Sequence, residues 1–157
     1  MQKEKIFSTN PEKATLRISI NSFMMSSLFF ILTLIWTLNP EKFNFFIIAQ
    51  VILAIPMLFV SSLSYSKVAY WEKNLAWDWL GWITNELGNI PVLNIVGLIT
   101  ATLFIKLAYA YFALVILLML TYTLINIHYR PHKSKEKLIK FVIFLTIVFF
   151  GGIYPIL

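Results

Sequence analysis

Residues 91–128, PVLNIVGLITATLFIKLAYAYFALVILLMLTYTLINIH, carry one charge, Lys106. As a single helix rising 1.5 Å per residue, the stretch would be about 57 Å long, against roughly 30 Å for the hydrocarbon layer of a bilayer. Two arrangements absorb the excess. In one, a long helix has its membrane part at about 104–128 and its first turns pack on the preceding segment. In the other, Val92 to Ile105 dips in as a short segment and Lys106 marks a break. No Gly or Pro stands near Lys106 to make a turn, so the single long helix is expected.

Working outward, three more runs have the length and polarity of spans: about 18–38, 43–65 and 138–157. Asn10-Pro11-Glu12-Lys13 reads as a helix start, with Asn as N-cap, Pro at the first helical position and Glu in the first turn. The same four residues recur as Asn39-Pro40-Glu41-Lys42, which predicts a tight helical hairpin between the first two spans. Pro56 lies inside the second span and predicts a kink there. Gly151, Gly152 and Pro155 should loosen the end of the last one. The polar first seventeen residues, and the long apolar run after them, do not resemble a cleavable signal peptide, so the first span is expected to be retained.

Residues 69–87 differ in kind. Trp71, Trp77, Trp79 and Trp82, four of the five tryptophans, fall here among Glu72, Asp78 and Glu86. Trp71, Leu75, Trp79, Trp82, Ile83 and Leu87 share one face at helical spacing. The segment looks too charged to span. It is expected to lie along the interface with its indoles at headgroup depth, ended by Gly88, with Pro91 restarting the chain.

Composition supports this frame. Of 157 residues, 59% are hydrophobic and 13% charged, with a mean hydropathy of +0.79. Soluble domains have roughly 25% charged residues. A chain this apolar could not cover its surface in water, so lipid must be the solvent for much of it. The net charge of +6 fits juxtamembrane Lys and Arg rather than nucleic-acid binding. Arg130, Lys133, Lys135 and Lys137 are the densest such group and are assigned to headgroup contact or topology. With four spans, basic residues divide six against six between the two sides and orientation is undecided. A second crossing within 91–128 would set eleven against one, Lys42, with Lys106 added to that side at the far turn.

Little in the chain can do chemistry. There is no cysteine, which removes disulfide scaffolds, thiol redox enzymes and Cys-ligated metals. No span contains an acidic residue, which argues against ion-coupled transport. His128 and His132 are four apart, but Pro131 lies between them and no third ligand is near. No nucleotide loop, H-E-x-x-H or G-x-S-x-G occurs, so neither catalysis nor a cofactor is expected. Ser26, Ser27, Gln50, Asn94, Thr100, Thr102, Thr121, Thr123 and Asn126 are polar residues within apolar runs, the usual glue of helix packing.

The expected fold is an all-α membrane bundle of about four transmembrane helices plus one interfacial amphipathic helix. The expected function is non-catalytic: helix–helix contact with a membrane partner, as an accessory subunit, an immunity-type protein or a defence component. A homo-oligomeric channel is the alternative, with Lys106, Thr102, Asn94 and Gln50 as candidate pore or partner contacts. A lipid-handling protein using the tryptophan segment is a third. Richness in Phe, Ile, Lys and Asn points to an AT-rich coding source, and the bacterial inner membrane is the expected location.

Overall fold

The computed structural model describes residues 10–38, 43–70, 75–131 and 134–157. Among them there is no strand. Five helices follow one another: α1 (Pro11–Leu38), α2 (Phe45–Ala69), α3 (Leu75–Leu103), α4 (Ile105–Tyr129) and α5 (Ser134–Val148). α5 continues through a π turn (Phe149–Ile153) into a 3-10 turn (Tyr154–Ile156). All five helices are long and apolar enough to cross a membrane. The chain is an all-α integral membrane protein with five candidate spans, not four.

The fifth span is α3, which joins two segments expected to be separate. Its best 18-residue window has a mean hydropathy of 1.4, the lowest of the five, because Glu86, Asn89 and Asn94 stand among its apolar residues. The tryptophan segment is thus the beginning of a span rather than a separate helix, and Gly88 and Pro91 do not end it. Ending a helix in lipid exposes carbonyls that no water can satisfy, so continuation is favoured even through proline. Gly88 serves packing instead. A Cβ there would lie 2.7 Å from Leu58 Cγ and Cδ2 and 3.1 Å from the Leu58 backbone nitrogen.

The long helix expected over 104–128 and its preceding turns is broken at one residue. Phe104 is extended (φ −146°, ψ 99°) and is the only residue between α3 and α4. Its N–H donates to Thr100 O (2.8 Å), and its carbonyl accepts from Leu107 N (3.0 Å) and Ala108 N (3.1 Å). The break beside Lys106 therefore needs neither Gly nor Pro.

By compactness the chain falls into two units, Met1–Val92 and Leu93–Leu157, with the boundary inside α3. In the first unit, α1 opens on its expected cap: Asn10 Oδ1 accepts from Lys13 N at 3.0 Å. The repeat at Asn39-Pro40-Glu41-Lys42 lies outside the described residues. Asn44 caps α2, accepting from Phe46 N at 3.0 Å, and Pro56 stands inside α2 without ending it. The buried positions of α1 recur every seven residues: Ala14, Asn21, Leu28 and Ile35. Those of α2, Ser64 apart, alternate by four and three: Ile47, Val51, Ala54, Leu58, Ser61, Tyr65 and Val68. These are the spacings of a left-handed coiled-coil seam. Gly81 and Gly88 of α3 meet this seam seven residues apart, Gly81 against the Tyr65 ring and Gly88 against Leu58.

In the second unit, the end of α3 and the start of α4 form a hairpin. Tyr111 Oη donates to Leu93 O (3.1 Å). Phe112, fully buried, packs into notches at Gly97 of α3 and Gly152 of the π turn.

Candidate functional site

Several polar groups inside the first unit are engaged with one another. Asn89 Nδ2 donates to Asn21 Oδ1 (3.3 Å), Asn21 Nδ2 to Ser61 Oγ (2.9 Å), and Ser61 Oγ to Gly81 O (3.1 Å). The relay ties α1, α2 and α3 together, and Asn21 and Ser61 are fully buried. One turn nearer the start of α1, Arg17 donates to the Tyr65 hydroxyl, and its guanidinium lies 4.9 Å from the centre of that ring. Tyr65 also packs with Ala14, Val68 and Trp77.

In the second unit, Asn94 Nδ2 donates to Ile147 O at 3.1 Å. A π turn adds one residue to the helical ladder and leaves a carbonyl short of its usual partner. The buried amide of Asn94 supplies that partner two residues before the turn begins. Asn94 thus holds α3 to α5.

Of the four candidate contacts, Asn94, Thr102 and Lys106 lie in the second unit. Gln50 belongs to the first unit and donates to Phe46 O at 3.2 Å within its own helix. Asn94 is consumed in packing. Thr102 and Lys106 are exposed on either side of the Phe104 break, and Thr102 Oγ1 donates to Ile99 O at 2.7 Å. Lys106 therefore stands at a helix end rather than midway along a span. Of the anchors, Trp79 is exposed, Trp77 half-buried and Trp82 buried, while Trp71 lies outside the described residues. Arg130 and Lys135 are exposed and Lys137 half-buried, whereas Lys133 and His132 lie outside the described residues. Among the described residues, no three His, Cys, Asp or Glu side chains group as metal ligands would.

One surface differs in kind from the rest. Thr15, Ser19, Ser22, Ser26, Thr33 and Thr37 of α1 are all exposed. Their three-, four- and seven-residue spacings place them on one stripe, roughly a third of a turn from the buried seam at 100° per residue. Each hydroxyl donates to the carbonyl four residues earlier, for example Ser22 to Ile18 O (2.9 Å) and Ser26 to Ser22 O (3.0 Å). Their polarity is satisfied and what they present outward is smallness. Beside Ser22 and Ser26 an open cleft of about 610 Å³ runs between Phe29 of α1 and Ile55, Pro56 and Phe59 of α2. By contrast, the exposed residues of α4 are mostly bulky, with Leu114, Leu117, Leu118, Tyr122 and Ile125 among them beside the smaller Ala110, Ala113 and Thr121.

The buried Asn21 relay and the α1 stripe were both missed in the sequence. The missing signal was a period of seven: Ala14, Asn21, Leu28 and Ile35 on one side, and the hydroxyl residues on another. No protein-family model matches the chain, and no curated protein or solved structure is similar to it.

Proposed function

We propose that this protein works without catalysis, through helix–helix contact between the outer face of α1 and a transmembrane helix of a membrane partner. The α1 stripe carries this proposal. Lipid tails are as apolar as leucine, so helices in a bilayer associate through close backbone approach, which small residues permit and large ones prevent. A face meeting only lipid has no need of small side chains, as the leucine-rich face of α4 illustrates. The cleft beside the stripe would receive a bulky side chain of the partner helix. An accessory subunit, an immunity-type protein and a defence component all act in this way. The bacterial inner membrane is part of the proposal, resting on the helical spans and the composition.

The test uses the cysteine-free background. Single cysteines at Ser26 and at Leu117 are cross-linked in native membranes. Ser26→Cys should give one protein adduct of defined mass, lost when Ser22→Leu is added, and Leu117→Cys should give none. An adduct at twice the chain's own mass identifies a second copy as the partner. Equal adducts from both positions, or none from Ser26, would overturn the proposal.

A further inference from the structure

We propose that Arg130, Lys135 and Lys137, at the end of α4 and the start of α5, bind the headgroups of anionic phospholipids. Arg130 caps α4, and Lys135 and Lys137 lie in the first turns of α5. Within the sequence 129–140 Glu136 is the sole acidic residue, and it pairs with Lys140 at 2.5 Å. Nothing acidic in that stretch is left to offset Arg130, Lys135 and Lys137. Helix stability does not account for these lysines. A helix N-terminus carries partial positive charge and favours acidic residues, so two cations there raise a local potential that only an anion relieves.

Depth identifies the anion. α4 is apolar through most of its length and ends at Tyr129, which is 79% exposed. Exposed tyrosines mark the membrane–water boundary. The cations begin at the next residue, at phosphate level. Within the second unit charge gathers on this side: among its described residues, Arg130, Lys135, Lys137 and Lys140 stand at the end of α4 and the start of α5, and Lys106 stands at the opposite end of α4. A bilayer's cytoplasmic leaflet is the anionic one, and the same bias directs the basic side there.

The full-length protein, released from micelles with equal phosphatidylglycerol and phosphatidylcholine, is analysed by native mass spectrometry. Phosphatidylglycerol adducts should predominate. Each neutralised cation should lower that preference up to about fivefold. The variant Arg130→Gln/Lys135→Gln/Lys137→Gln should therefore lose at least about tenfold, and Lys106→Gln should lose nothing. Inorganic phosphate at matched concentration should not compete. Equal retention of the two lipids, an unaffected triple variant, an equal loss from Lys106→Gln, or displacement by inorganic phosphate would each overturn the proposal. Independently, a cysteine at Lys135 should be shielded from an impermeant maleimide added outside intact cells, and one at Thr102 labelled. The reverse pattern would place these cations on the wrong leaflet and overturn it as well.

Discussion

Replacing Gly97 with alanine adds one methyl group to the packing of the second unit, and the structure sets its consequence. The new Cβ would lie 2.2, 2.6 and 2.9 Å from Cζ, Cε2 and Cε1 of Phe112. Ordinary contact begins near 3.4 Å, so the ring must withdraw by roughly 1 Å or more, an overpacking displacement. It has nowhere to go. The Cβ direction of Gly152 already points within 2.5 Å of Cε1 and 2.6 Å of Cζ of the same ring. Overpacking of this kind costs about 1–3 kcal/mol. Alanine's better helix propensity returns up to about 1 kcal/mol. The net expectation is a loss of about 1–2 kcal/mol, read from reversible unfolding in mixed dodecyl sulfate micelles. Phe112→Leu deletes the three ring carbons that clash. It destabilises alone, by about 1–2 kcal/mol, but in its presence Gly97→Ala should cost nothing, a coupling of at least about 1 kcal/mol. A Gly97→Ala protein as stable as the parent, or strictly additive effects in the double variant, would refute this account of the hairpin.

Other substitutions test the remaining features. Asn21→Leu removes two interhelical hydrogen bonds and should cost about 1 kcal/mol at the ~0.6 kcal/mol typical of such bonds in membranes. The same unfolding assay should show its effect to be non-additive with Ser61→Ala, and a more stable Asn21→Leu protein would show that the relay is no source of stability. Lys106→Ala should leave ion flux across reconstituted liposomes unchanged, since the side chain stands at a helix end. A clear change in conductance would favour the channel alternative.

Lys106 shows where local reasoning stopped. The excess length of residues 91–128 demanded a break, and one competing arrangement placed it beside this lysine, yet turn chemistry was absent. Local rules look for Gly or Pro, whereas here one extended phenylalanine suffices because Phe112 docks on Gly97 and Tyr111 holds the Leu93 carbonyl across the hairpin. Pro91 and Gly88 mislead in the opposite sense. Both are breakers in water, and both are carried within a continuous helix in a setting where unsatisfied carbonyls are too costly. The buried asparagines were legible only as polar residues in apolar runs, because burial depends on which helix face meets a neighbour.

Solvent and secondary structure were settled by the sequence alone. Apolar runs of span length separated by charges admit only lipid around them, and runs of about 20 residues cross lipid as helices, barrel strands needing only about 9–11. The number of crossings, the pairing of helix faces and the roles of Asn21, Asn94 and Gly97 were decided by tertiary structure. Each depends on contacts between residues tens of positions apart, set by side-chain shape at close approach, which no hydropathy window senses.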